Sequence, residues 1–283
     1  MLLLLPCLIC CYYVLFFIAT FLGLEPIEQY YLERNGQNIT RVRTFTQRAQ
    51  GLLPKPEPLL VGHQPSEEHI DGLTAQPYWG EGGYNPFPWA PKLEEKSYII
   101  RNELERQLLA TSSSNQDQQS LFRGDSAWQS QIMGKGWSAI RLQRMGVWNV
   151  EFCETYFPQT YQILQSLNIP LAVRGVCFAR QEGMSGVAPH SDGRNFILTA
   201  HLGVKIPSGC WIKVGEDDNI SNVSQREWEE GKVLIFDTSF EHSTGNPTTE
   251  DRLVLIIDFW HPELTEAEKA ALSFIYDLRN QFE

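Results

Sequence analysis

Between Leu171 and Phe259 the chain breaks into short runs rich in Val, Ile, Leu and Phe, separated by Gly, Pro, Asn and Asp. They are Ala172 to Ala179, Asn195 to Val204, Cys210 to Val214, Lys232 to Phe236 and Leu253 to Phe259, each five to ten residues long. Repeated short strands at this spacing predict two packed sheets, a sandwich or jelly roll. The histidines fall where such strands end: His190 and Asp192 in the loop after one predicted strand, His242 in the turn before another. A jelly roll gathers loops and strand ends at one mouth. Side chains about 50 residues apart in sequence can therefore share one ion.

The rest of the chain frames this region. Met1 to Leu24 holds no charged side chain and is interrupted only by Pro6 and Gly23, and about 20 apolar residues suffice to cross a bilayer. It has neither the basic n-region nor the small-residue cleavage site of a secretory signal peptide. Residues 1–24 are therefore expected to form an uncleaved transmembrane signal anchor. Residues 25–71 contain Pro54, Pro56, Pro58 and Pro65 and no sustained period, so they read as a stem, with the catalytic domain at 72–283. Signals for orientation conflict. Arg34, Arg41 and Arg43 would pull their flank to the cytosol, whereas the sequons at Asn38, Asn219 and Asn222 point to the lumen.

Leu93, Ile100, Leu104 and Leu108 predict an amphipathic helix from Pro91 to Leu109. A second is expected between Val150 and Leu167, divided at Pro158, and Thr111 to Ser126 reads as a surface loop. A last helix is opened by the capping box Thr265-Glu-Ala-Glu268, with Ala271, Ile275, Leu278 and Phe282 along one face. A formal charge of −11 argues against nucleic acid as a partner, because phosphate contacts need clustered Lys and Arg. Of six cysteines, Cys7, Cys10 and Cys11 lie in the first segment. Cys153, Cys177 and Cys210 remain, enough for at most one intrachain bridge.

Either site histidine alone would pass for an ordinary surface or core residue. The combination points to chemistry. His190, Asp192 and His242 are two imidazoles and a carboxylate, the ligand set of a non-haem Fe(II) centre that keeps positions open for substrate and O₂. Arg252, ten residues after His242 on a predicted strand, matches the 2-oxoglutarate oxygenases, in which a guanidinium fork pairs with the distal carboxylate of the co-substrate. Its ordinary alternative is a strand-end salt bridge to Asp251 or Glu250. His201 shares a strand face with Thr199, Ile197 and Asn195. If that face is interior, its imidazole needs a partner, a co-substrate carboxylate or a structural hydrogen bond.

The run Trp228-Glu-Glu-Gly-Lys-Val-Leu-Ile-Phe-Asp-Thr-Ser-Phe-Glu-His242, the His201-Leu-Gly203 element, Pro189-His190 and Trp260-His-Pro-Glu-Leu264 resemble the aspartyl/asparaginyl β-hydroxylase family. Gly72-Leu-Thr-Ala-Gln-Pro-Tyr-Trp79 and Gly136-Trp-Ser-Ala139 extend the similarity, so it covers roughly Gly72 to Leu272. The resemblance implies a mainly β, double-stranded β-helix (jelly-roll) fold with flanking α-helices. It further implies Fe(II), 2-oxoglutarate and O₂ as reactants and hydroxylation of an unactivated carbon, the β-carbon of Asp or Asn in a protein or peptide. By position, His190 and His242 match iron ligands, and Arg252 and His201 match 2-oxoglutarate contacts. The family's topology implies a single-pass membrane protein of the endoplasmic reticulum with a lumenal catalytic domain. Two positions depart from the animal hydroxylase: Asp192 stands where it has glycine, and Thr199 where it has arginine. The rival readings are a related oxygenase acting on a lipid or small molecule and a non-catalytic jelly-roll binding module.

Overall fold

A computed structural model of the chain describes residues 20, 22–80, 86–112, 121–123, 134, 136–215 and 225–282. Eleven strands form two antiparallel sheets among these residues. They are β1 (Tyr78–Trp79), β2 (Trp137–Arg144), β3 (Val147–Trp148), β4 (Leu171–Gln181), β5 (Ser185–His190), β6 (Ile197–Lys205), β7 (Trp211–Val214), β8 (Gln225–Glu227), β9 (Val233–Asp237), β10 (His242–Asn246) and β11 (Arg252–Trp260). The larger sheet has the order β1-β9-β6-β11-β4-β2-β3 and the smaller β5-β10-β7-β8. From β4 onward the strands nest in antiparallel pairs, β4 with β11, β5 with β10 and β6 with β9. That nesting is the jelly-roll order. The five runs expected from composition correspond to β4, β6, β7, β9 and β11. β5 and β10 have no apolar run; His242-Ser-Thr-Gly-Asn246 is held as a strand by ladders to both β5 and β7.

The helices are α1 (22–35), α2 (Thr40–Ala49), α3 (Trp89–Glu95), α4 (Ser97–Ser112), α5 (Val150–Tyr156), α6 (Pro158–Ser166) and α7 (Glu266–Phe282). The helix expected from Pro91 to Leu109 is two, separated at Lys96, whose N–H bonds to Leu93 O in a tight turn. Pro158 divides the next pair as expected, standing where a helix start needs no N–H. At α7 the capping box is reciprocal: Thr265 N donates to Glu268 Oε2 at 2.9 Å and Glu268 N donates to Thr265 Oγ1 at 3.2 Å.

Alternation along the large sheet sorts its side chains. Leu198, Ala200, Leu202, Leu255, Ile257 and Phe259 face outward and are covered by Leu93, Ile100, Leu104, Phe157 and Leu164 of α3 to α6. Ala179, Val254 and Phe236 face inward and meet Ile212, Val214 and Cys210 near the smaller sheet. A third cluster closes one end: Leu24, Ile39, Val42, Phe45 and Ile70 pack on Phe196, Trp260, Ala271, Leu272 and Ile275. Residues 25–71, expected as a stem, thus supply two helices and part of a core. Cys153, Cys177 and Cys210 are buried and are not joined by a disulfide, so the one possible bridge among them is not made.

The expected localisation is corrected. Among the described residues no helix is long and apolar enough to cross a membrane. Residues 1–19 and 21, most of the expected anchor with Cys7, Cys10 and Cys11, lie outside the described residues, as do Asn219 and Asn222. The anchor's last residues pack on protein: Leu24 is 2% exposed within the α2–α7 cluster, and Gly23 lies so close to Phe274 that a Cβ would fall 2.1 Å from its ring. A side chain buried this way is unavailable to lipid.

Candidate active site

His190 is the last residue of β5 and His242 the first of β10, and the two are cross-strand partners. Directly opposed residues stand about 5 Å apart at Cβ, so pairing alone brings the imidazoles together, with ring centroids 4.2 Å apart. His190 Nδ1 lies 2.9 Å from Ala188 O and His242 Nδ1 3.0 Å from Phe240 O. A carbonyl only accepts, so each Nδ1 carries the proton and each Nε2 keeps its lone pair. Burial lowers the His242 pKa to about 4, against the opposing pull of Asp192, and keeps the ring neutral. Two imidazoles held by carbonyls through Nδ1 fit a divalent transition metal at Nε2.

Asp192 does not join them. Among the described residues no three of His, Cys, Asp and Glu are grouped so as to hold one ion. The Asp192 carboxylate instead accepts from Arg174 Nη1. Burial alone would raise its pKa, but the charge of Arg174 holds it well below the usual range. Arg174 also reaches Thr238 Oγ1 at 3.3 Å and, through Nε, Asp258 Oδ2 at 3.5 Å. Asp258 in turn accepts from Thr199 Oγ1 at 2.6 Å. The arginine is turned inward by a break in β4. Pairing with β11 passes from Ile257–Val176 to Phe259–Leu171, so residues 172–175 bulge. Gly175 sits there at φ +145°, where a Cβ would meet Gln143 O at 2.4 Å. Strict alternation would place Arg174 outside with Val176 and Phe178. A glycine inside a strand is the one sequence signal that marks such a bulge.

Arg252 opens β11 at the other end of the same cavity, 2% exposed. Its guanidinium carbon stands 4.2 Å over the Trp228 ring, and its buried Nε and Nη1 have no hydrogen-bond partner among the described residues. Burial lowers its pKa to about 10. His201, 6% exposed, stacks on Trp228 at 5.9 Å, and its Nδ1 is likewise buried and unpartnered. Burial, then the charge of Arg252, holds His201 well below its ordinary pKa. Gln181, the cross-strand neighbour of Arg252, adds an unpartnered Nε2. Buried donors and a buried cation without a counter-charge are costly unless an anion completes them. A carboxylate is the group this corner lacks. Trp228 and Gln181 extend the corner beyond the residues that spacing alone singled out. The cavity joins both ends in about 540 Å³, part of it open to solvent, and its walls include Trp137, Val187, Ile212, Phe236 and Ile256.

The family model for aspartyl/asparaginyl β-hydroxylases matches residues 94–262, which include both histidines and the arginine corner. The chain belongs to that family. Aspartyl/asparaginyl β-hydroxylase of Mus musculus is 32% identical over 222 residues, covering 75% of this chain and 27% of that protein. Aspartate β-hydroxylase domain-containing protein 2 of Homo sapiens is 31% identical over 146 residues, covering 50% of this chain and 37% of the relative. The chain therefore spans about a quarter to two fifths of the length of these relatives. Among solved structures, a prolyl hydroxylase of Trichoplax adhaerens aligns with a TM-score of 0.38 at 16% identity, covering 64% of this chain and 94% of that one.

Proposed function

We propose that the chain is an Fe(II)- and 2-oxoglutarate-dependent dioxygenase that hydroxylates an unactivated carbon, the β-carbon of Asp or Asn in a protein or peptide. The observation that carries this is the pairing, in one cavity, of two imidazole Nε2 atoms with a buried guanidinium that has no counter-charge among the described residues. Family membership supports it.

His190 and His242 would hold the iron through Nε2, with their Nδ1 protons fixed on Ala188 O and Phe240 O. Arg252 and His201 would receive the distal carboxylate of 2-oxoglutarate, the guanidinium as a charged fork and Trp228 as the surface beneath both. Asp192 stays on Arg174 and leaves the ligand set to the histidines. With iron, 2-oxoglutarate and O₂ bound, the centre supplies oxidation: one oxygen atom enters the substrate C–H bond, and 2-oxoglutarate leaves as succinate and CO₂. The apolar walls, Val187, Ile212, Phe236 and Ile256, exclude water and hold the C–H bond in place. The catalytic unit includes residues 39–71 together with 72–283, because Ile39, Val42, Phe45 and Ile70 complete one of its cores.

The test is conversion of 2-oxoglutarate to succinate by the purified chain with Fe(II), with a +16 Da product sought in peptide and lipid pools. Turnover is expected in the parent, and His190→Ala is expected to abolish it. Arg252→Ala should weaken 2-oxoglutarate binding by two decades or more, the loss of a charge-assisted contact being about 2–5 kcal/mol. A parent without turnover, or an Arg252→Ala variant that binds as the parent does, removes the reading.

A further inference from the structure

We propose that the cluster of Arg174, Asp192 and Asp258 selects the prime substrate, accepting a carboxamide side chain and rejecting a carboxylate. This deepens the oxygenase reading above and rests on it. Arg252 and Asp258 lie six residues apart on the inward face of β11, about 20 Å at the rise of an extended strand. A co-substrate anchored at Arg252 leaves the Asp258 end for the group to be modified.

Arg174 is the cation lining that end, and two carboxylates already stand against it. Nη1 donates to Asp192 and reaches Thr238, and Nε faces Asp258. Thr199, beside it on β6, donates to Asp258. Arg141 adds its charge to the surroundings of Asp258 without lining the cavity, and Arg194 lies within range of Arg174. A carboxylate arriving here meets two carboxylates against a single guanidinium. To share Arg174 it must stand beside two like charges in a partly buried site, which is a device for exclusion as much as recognition. A carboxamide brings two N–H donors to the Asp192 and Asp258 oxygens and one acceptor to Thr238 or Arg174. It needs no rearrangement.

The experiment uses the full chain with Fe(II) and 2-oxoglutarate and two peptide libraries, identical in randomised flanks but with a fixed central Asn or Asp. The +16 Da product is read by mass in each, alongside succinate formed without peptide. The expected result is a preference for the Asn library of at least about tenfold, which Asp192→Asn, by releasing Arg174, moves toward the Asp library by a similar factor. Equal use of both libraries, a preference for Asp, or modification of neither overturns the inference even if the variant fails to fold, because each is read on the parent. Succinate formation without peptide reports separately on the oxygenase reading, so the two can fail independently.

Discussion

Asp237, at the end of β9, is fully buried. Its Oδ1 accepts from Ser239 N at 2.8 Å and Ser239 Oγ at 2.6 Å, while Oδ2 has no partner among the described residues. Burial raises its pKa from the ordinary 3.8 to about 7, against the two Ser239 bonds. The sign follows from linkage. The folded value lies above the unfolded one, so this carboxyl's contribution is intact below pH 4 and is lost as pH rises toward 7. Three units correspond to about 4 kcal/mol at most. Asp237→Asn should therefore flatten the stability curve between pH 4 and 7 and raise stability at pH 8, measured by urea unfolding. A variant with the parent's slope would place the titration elsewhere. At this scale the spacing of His190, His242 and Arg252 in the sequence picks out the residues that meet in the cavity. Arg174 is hidden, because alternation assigns it to the wrong face until the bulge at Gly175 is known.

At the scale of elements, the segment around residues 63–71 is a strap under the loop that follows β5. Gln64 N donates to Ser239 O at 2.8 Å, Ser66 N to Gly193 O at 2.9 Å and Ile70 N to Asn195 Oδ1 at 2.9 Å, while Asn195 Nδ2 returns to Ile70 O at 2.8 Å. Glu68 adds ion pairs to Arg194 and Arg279, whose charges hold its carboxyl at about 2 although burial opposes them. Gly193, at φ +70°, lets the loop lie on Ser66, where a Cβ would come within 2.6 Å. A chain starting at Gly72 loses all of these bonds and the cover over Phe196. The expected outcome is rapid proteolysis of the 191–195 loop and divalent-metal affinity reduced by about 10–100-fold, the range seen when groups supporting metal ligands are removed. Limited digestion and metal titration check this. Unchanged cleavage and affinity would mean that the loop holds itself.

For the whole molecule, the jelly roll leaves the buried Arg252 without a counter-charge among the described residues, and that governs how stability responds to ligand. A carboxylate that binds only the folded state adds about 2.7 kcal/mol at a hundred times its Kd, roughly 5–10 °C in Tm for a chain of this size. 2-Oxoglutarate should raise Tm in the parent and not in Arg252→Ala, as read by calorimetry without iron or turnover. A shift that survives the substitution would place the anion elsewhere. The N-terminal region obeys the same whole-molecule logic. Its proline content and lack of period describe a linker, yet Ile39, Val42, Phe45 and Ile70 are buried because α7 and the end of the large sheet offer them a surface.

The sequence by itself determined the class of fold, the capped last helix, the division at Pro158 and the kinship to the hydroxylases, because those depend on local periodicity, caps and short contiguous motifs. Only the tertiary structure decided the partner of Asp192, the inward turn of Arg174, the strap under the site loop and the packing of Leu24 against protein. Each of these joins residues distant along the chain, and no local pattern encodes which one will be there. Asp192 is the sharpest case. Two residues from His190 its spacing suits an iron ligand, but a guanidinium 18 residues upstream claims its carboxylate through a bulge that a single glycine allows.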